Sequence, residues 1–238
     1  MSLAWVIEDA RKFPNSTIDA REKLHRVHAL SHGVGESSTP TVLDVGSGFG
    51  FFTREAQQRG YDLTAIELGP ARHIAEEMAG VRPIAIPFED FDAGKGRYSA
   101  IVMSQVLKHV LDANLWAARA SDLLKPGGIL AIALPHFGSV IRRLMRENDP
   151  FVTRPEHLNF FTEVSLRTLL QRHGFELSAT EYRSRIPPRT IECRLGRLGR
   201  PAVMAGKPAG SALCVGMDTL RLGMMIRAYG IKPRHAAA

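Results

Sequence analysis

The stretch Val42-Leu43-Asp44-Val45-Gly46-Ser47-Gly48-Phe49-Gly50 decides how the rest of the chain is read. Its first half belongs to a short apolar run from Thr41 to Val45, the pattern of a strand buried on both faces. Glycines at 46, 48 and 50 then let the backbone turn tightly and let a ligand approach with no Cβ in the way. Such a turn opens a helix whose first N–H groups are unpaired and carry the positive end of the helix dipole, a place that suits a carboxylate or a phosphate. A glycine turn alone is a weak motif, so its surroundings must decide. A dinucleotide fingerprint would want glycine at 46, 48 and 51, but position 51 is Phe51. Asp44 precedes the turn, and Glu67 stands at the end of the next strand, where a carboxylate can accept both ribose hydroxyls of an adenosine.

Outward from the turn, strand and helix periods alternate. A helix is expected from about Phe51 to Arg59 with Gly60 ending it, then a strand over Asp62–Ile66 and a helix over Pro70–Met78. Arg82–Ile86 reads as a short third strand and Tyr98–Met103 as a fourth. A helix carrying Leu115, Ala118 and Leu123 follows, then a fifth strand over Ile129–Leu134. This alternation predicts a parallel sheet covered on both faces and wound by right-handed crossovers, with its ligand crevice at the carboxyl ends of the strands. Upstream, Leu3 to about His32 reads as helix, split at Pro14 and Asn15, and a polar break precedes the first strand. Past Pro135 a helix is expected over Gly138–Arg146 and another over Glu163–His173, with Thr162 as N-cap and Gly174 beyond its end. Phe175–Tyr182 and roughly Leu222–Tyr229 complete the strands. The segment between them, with its Arg, Gly and Pro, carries no clear period.

Bulk properties bound the function. The 238 residues are 45% hydrophobic and 23% charged, the mix of one globular domain. No apolar run reaches the about 20 residues needed to cross a bilayer; the nearest, Ser211–Met225, is interrupted by Asp218 and Arg221. With no secretion-type leader pattern at the N-terminus, the expected location is the cytoplasm. Cys193 and Cys214 are read as two reduced thiols without metal-type spacing. The net charge is +7, and Arg183, Arg185, Arg189, Arg194, Arg197 and Arg200 fall in one stretch. That stretch is either a solvated loop or a stripe that attracts phosphate, nucleic acid or an anionic membrane surface.

Over roughly residues 40 to 177 the chain resembles the class I methyltransferases that use S-adenosylmethionine. Leu43–Gly50 looks like their first motif. The run Gln105-Val106-Leu107-Lys108-His109-Val110-Leu111-Asp112 and the turn Leu123-Leu124-Lys125-Pro126-Gly127-Gly128 resemble later ones. The segment from His157 through Asn159-Phe160-Phe161-Thr162, Ser165-Leu166 and Leu169-Leu170 to Gly174-Phe175 is similar to the subgroup of ubiquinone-type O-methyltransferases and of enzymes acting on sugars and secondary metabolites. The resemblance implies an α/β, Rossmann-like doubly wound sheet of seven strands, mostly parallel with an antiparallel last strand. It also implies one domain over 1–238, with N-terminal helices to 39, a cofactor core over 40–135 and a substrate-side insertion with C-terminal strands over 136–238.

By the same resemblance, Gly46, Ser47, Gly48 and Gly50 would hold the methionine part of S-adenosylmethionine, and Asp44 would fix that loop or reach the amino group. Glu67 would take the ribose, Phe88 and Glu89 the adenine, and Gln105 would line the methionine end. Ubiquinone-type enzymes carry Glu-x-x-Glu-His after the fourth strand, a triad that in several relatives ligates a divalent metal. Here those positions read Gln105, Lys108 and His109, which removes the hard oxygen ligands, so no metal is expected. Methyl transfer from a sulfonium needs alignment and removal of a proton from a hydroxyl acceptor. His109 and His136 are the candidate bases, each with packing as the alternative, and His157 and Asn159 the candidate acceptor-side residues. The expected partner is a small-molecule acceptor, a sugar or secondary-metabolite hydroxyl. The rival readings are an RNA methyltransferase using the basic 183–200 stretch and a non-catalytic regulator that keeps the cofactor fold.

Overall fold

A computed structural model describes residues 14–31, 39–146, 149, 155–184 and 206–234. In chain order the elements are α1 (Pro14–Ser31), β1 (Thr41–Val45), α2 (Phe51–Gln58), β2 (Asp62–Ile66), α3 (Ala71–Ala79), β3 (Tyr98–Ser104) and α4 (Ala113–Leu123). There follow β4 (Leu124–Pro135), α5 (Val140–Met145), α6 (Glu163–Arg172), β5 (Glu176–Arg183), α7 (Gly206–Thr219) and β6 (Met225–Ile231). The six strands form one sheet in the order β2-β1-β3-β4-β6-β5. β1, β2, β3 and β4 pair in parallel, while the last strand, β6, is antiparallel to β4 on one side and β5 on the other.

Successive side chains of a strand point to opposite faces, and the buried strands use both. Leu43, Val45, Ile101, Met103, Leu130 and Ile132 pack toward Trp116 and Ala120 of α4 and Leu166 and Leu170 of α6. Val42, Ala100, Val102, Ile129 and Ala131 pack toward Ala20, Leu24 and Val27 of α1 and Phe52 and Ala56 of α2. The helix starts follow local chemistry. Asp112 Oδ1 accepts the N–H groups of Asn114 and Leu115 ahead of α4. Thr162 and Ser165 form a reciprocal capping box at α6.

The expected doubly wound sheet is present, with one correction: among the described residues it holds six strands rather than seven. Arg82–Ile86 contributes only an isolated bridge, in which Ile84 N–H donates to Ala65 O and Ile84 O accepts from Glu67 N–H. Pro83 has no N–H and Pro87 follows at once, so the ladder cannot extend. The helix expected from Gly138 is shorter, starting at Val140 because Ser139 caps Arg142 N–H. Helix α7 lies in the segment whose period could not be read; its Asp218 accepts both the N–H and the hydroxyl of Ser184 at the end of β5. The helical reading from Leu3 to Phe13 and most of the arginine stretch, including Cys193, lie outside the described residues. Among the described residues no helix is long and apolar enough to cross a membrane.

Candidate active site

Sheet register explains why distant residues meet. Val45 pairs with Ile66 and with Met103, and Ser104 pairs with Ala133. The residues that follow these strand ends, Gly46, Glu67 and Gln105, therefore emerge along one rim. Gly46 N–H and Ser47 N–H both donate to Ile66 O, at 2.9 and 3.0 Å. Glu67 closes over the turn: its Oε2 accepts Gly48 N–H at 2.8 Å and its Oε1 accepts Gly69 N–H at 2.7 Å. Each carboxylate oxygen keeps a further lone pair for another donor. Gly46 has φ +68°, and a Cβ there would lie 2.5 Å from Val106 Cγ2, so no side chain fits. Beside it, the Ser47 hydroxyl is buried with no hydrogen-bond partner. An orphaned buried hydroxyl inside a glycine cradle is what a ligand's polar group would complete.

Two cavities flank the turn. The first, about 380 Å³, opens on the α4 side between Glu67, Ile86, Phe88, Val106, His109 and Trp116. Phe88 is buried, and its ring lies 4.9 Å from that of Trp116, whose Nε1–H donates to Glu89 Oε1 at 2.7 Å. The second, about 410 Å³, opens on the α1 side between Asp19, Lys23, Asp44, Phe49, Met224 and Arg227. Gly46, Gly48, Ser104 and Gln105 belong to both. An aromatic slot with one carboxylate at its rim fits an adenosine. A glycine turn with Ser47 and Asp44 beside it fits a small zwitterion.

The α1-side cavity is built from charge. Asp44 is buried and accepts a hydrogen bond from the Thr53 hydroxyl at 2.8 Å. Burial pushes its carboxyl up to about 6, against the pull of the Thr53 hydroxyl and the Lys23 ammonium. Lys23 is buried too, donating to Ser104 Oγ at 2.6 Å and pairing with Asp19 at 2.8 Å. Arg227, 2% exposed, joins α1 to the sheet by pairing with Asp19, Glu22 and Glu181. Arg183, the one described member of the arginine stretch, pairs with Glu22 at 3.0 Å.

The residues singled out from sequence fall into three groups. Asp44 and Ser47 line the α1-side cavity, Glu67, Phe88 and His109 the α4-side one, and Gly46, Gly48 and Gln105 both. Gly50 lies at the start of α2 with φ +78°, shaping the turn rather than lining a cavity. Glu89 is exposed and held by Trp116 outside the cavity walls. His136, His157 and Asn159 gather with Lys108 around a separate crevice of about 20 Å³. There His136 is buried, its Nδ1–H donating to Gly223 O at 3.0 Å, and burial lowers its basicity. Asn159 straps the loop by donating to Leu107 O and Val110 O.

His109 is exposed, its ring 5.0 Å from that of His157, and its Nδ1 lies 2.8 Å from Glu156 O. A carbonyl only accepts, so Nδ1 carries the proton and Nε2 of the neutral ring holds the basic lone pair. Among the described residues, no three or more His, Cys, Asp or Glu side chains gather as a metal site. Sequence reasoning did not find Trp116, Lys23, Asp19 or Arg227. The (i, i+4) spacing of Asp19 and Lys23 was the one visible hint, since nothing local marks Arg227 as their partner.

Comparison with known proteins bears on the family and the fold. A family model described as a methyltransferase domain matches residues 17–180. A ubiquinone biosynthesis O-methyltransferase of Caulobacter vibrioides is 32% identical over 101 residues, 39% of this chain and 40% of that protein. The chain thus spans well under two thirds of that relative's length. Among solved structures, an S-adenosylmethionine-dependent methyltransferase of Thermotoga maritima shares the fold with a TM-score of 0.59 at 18% identity, over 97% of each chain. A 1,6-didemethyltoxoflavin-N1-methyltransferase of Burkholderia thailandensis, solved with S-adenosylhomocysteine bound, does so with a TM-score of 0.57 at 21% identity, over 95% of this chain and 82% of that one.

Proposed function

The chain belongs to the methyltransferase domain family, and from that premise we propose that it moves a methyl group from S-adenosylmethionine to an oxygen of a small acceptor without a metal ion. The observation that carries this reading is Glu67 clamped over the three-glycine turn at the rim of the Phe88–Trp116 slot. Glu67 holds the ribose with its remaining lone pairs, and Phe88 and Trp116 flank the adenine. Ser47 and Asp44 take the polar groups of the methionine end. When bound, S-adenosylmethionine supplies a methyl group activated by a sulfonium sulfur, which leaves as a neutral thioether.

The chain's own work is then alignment and proton removal. His109 Nε2 receives the acceptor's hydroxyl proton while Glu156 O fixes the ring through Nδ1–H. His136 is a packing residue on this reading, buried and turned to Gly223 O, and His157 orients His109 across the ring contact. The acceptor is a sugar or secondary-metabolite hydroxyl; relatives named as ubiquinone O-methyltransferases support oxygen as the atom. Residues 1–238 act as one methyltransferase domain.

Calorimetric titration with S-adenosylhomocysteine tests the reading, with NAD as control and Glu67→Ala as the variant. Micromolar binding that the variant loses and NAD does not show is the expected result. No binding to the wild-type protein overturns the enzyme reading in favour of a non-catalytic regulator.

A further inference from the structure

The amide of Gln105 does not follow the pattern of its surroundings. Its backbone sits at φ +65°, a conformation rare for a residue with a Cβ, and is pinned there by its N–H donating to Ala133 O at 2.7 Å. This places Gln105 in the wall shared by both cavities. Its side-chain oxygen is taken: Lys108 Nζ lies 2.8 Å from Gln105 Oε1. An ammonium has three donors and no acceptor, so it must face the amide oxygen and never the amide nitrogen. The amide is thereby fixed in one of its two orientations, with its N–H₂ group as the donor it presents and a single lone pair left on an oxygen that already faces a cation. Lys108 is itself anchored from behind, its carbonyl accepting Leu158 N–H at 2.7 Å and Asn159 N–H at 3.1 Å.

The charges nearby point the same way. Lys23, Arg183 and Arg227 line the adjoining cavity against Asp19 and Asp44, and burial holds Asp44 partly protonated near neutral pH. Those cations are spent on Asp19, Glu22 and Glu181, so the positive charge offered at the end of β3 is that of Lys108, whose ammonium stands on the Gln105 amide.

We infer that Lys108 is a positioning residue that orients the Gln105 amide as a hydrogen-bond donor for an anionic oxygen of the acceptor, a carboxylate or an ionised hydroxyl. This rests on the proposed methyltransferase reading, and it narrows the acceptor from any hydroxyl compound to one that carries negative charge on oxygen. Donation to an anion is about twice as strong as donation to a neutral oxygen, so the device discriminates by charge more than by shape.

The test is binding to the protein already saturated with S-adenosylhomocysteine, read by calorimetry. The probes are benzoate, ionised 4-nitrophenol at about pH 8, and neutral benzamide. The wild-type complex is expected to bind one or both anions about tenfold more tightly than benzamide; which anion wins distinguishes a carboxylate from an ionised hydroxyl. Gln105→Glu is isosteric and keeps the Lys108 contact while replacing the N–H₂ donor by an acceptor, and it should abolish the preference. Lys108→Met should reduce it and Lys108→Arg restore it, with S-adenosylhomocysteine affinity within about twofold of wild type in both Lys108 variants.

An unchanged preference in Gln105→Glu overturns the inference, as does a wild-type complex that binds neither anion better than benzamide. If Gln105→Glu weakens S-adenosylhomocysteine as much as the anions, the amide serves the cofactor and the inference also falls. Failure of the wild-type protein to bind S-adenosylhomocysteine at all is a different result, which strikes the underlying reading instead.

Discussion

The two cavities beside the glycine turn are of similar volume and opposite construction. The α4-side cavity is walled by Ile86, Phe88, Val106 and Trp116 and carries one carboxylate, Glu67. The α1-side cavity is framed by Asp19, Lys23, Asp44, Arg183 and Arg227, most of them paired with one another. The first is assembled from residues close to the ends of neighbouring strands. The second joins residues as far apart in sequence as Asp19 and Arg227, which meet only after the chain has folded. One cavity presents a shape and a single charge to its ligand. The other is a structural ion cluster with a binding surface on its edge, so substitutions there should register first as lost stability.

Arg227→Met offers the largest effect that would break this contrast. It leaves Asp19 with Lys23, Glu22 with Arg183 and Glu181 with Arg26, but removes the buried cation that ties the three together. Breaking a buried pair typically costs about 3–5 kcal/mol, and because Asp19 and Glu22 are more than a third exposed, about 3 kcal/mol is expected here. Urea unfolding measures it. A loss below about 0.5 kcal/mol would mean the cluster is not what holds α1 to the sheet.

Glu67→Ala acts on the other cavity and in the other currency. It removes the acceptor for Gly48 N–H and Gly69 N–H together with the proposed ribose contact. Two charge-assisted bonds correspond to about 100-fold or more in S-adenosylhomocysteine affinity. Melting temperature should fall by only a few degrees. If stability collapses while residual affinity stays high, the division between a binding cavity and a structural one fails.

How far each cavity was legible in the sequence follows from the same contrast. β1, β2, the glycine turn and Glu67 sit within 27 consecutive positions, Thr41 to Glu67, and their apolar runs and turn residues specify local geometry directly. Thr162 announced α6 by the same local route. The short strand at Arg82–Ile86 was over-read because its apolar alternation ignored what Pro83 takes from a ladder. Lys23 and Arg227 were invisible because no local period distinguishes a buried, paired cation from a solvated one. Glu89 was placed by its position in the chain, whereas the slot is walled by Trp116, the residue to which Glu89 is bonded.

Asp44 belongs to both constructions and gives a sharper prediction. Its folded carboxyl titrates near 6, above the ordinary 3.8, because burial disfavours the charged form. The folded state therefore holds a proton that the unfolded state releases between about pH 4 and pH 6, and stability attributable to Asp44 falls as pH rises through that window. Asp44→Asn keeps an acceptor for the Thr53 hydroxyl and removes the titration. The variant should match wild type below about pH 4 and exceed it by about 3 kcal/mol above about pH 6, while binding S-adenosylhomocysteine more weakly if Asp44 meets the cofactor's amino group. Identical pH–stability curves for the two proteins would show that the carboxyl is not held in its neutral form.

The smallest effect comes from Trp116→Phe, and it isolates what an aromatic wall contributes without its polar handle. The substitution keeps a ring against Phe88, now 4.9 Å away, but removes the Nε1–H bond to Glu89 Oε1. Because Glu89 is exposed, water replaces that bond readily, and the stability loss should stay near about 1 kcal/mol. The smaller ring opens the slot, so S-adenosylhomocysteine affinity should drop about three- to tenfold. Asp44→Asn in the same background should add to this independently, since the two side chains line different cavities and share no partner. Strong non-additivity in that double variant would mean the two cavities act as one site coupled through the glycine turn. Calorimetry on the four proteins of that cycle decides whether the wall of carbon and the cluster of charge grip their ligand separately or together.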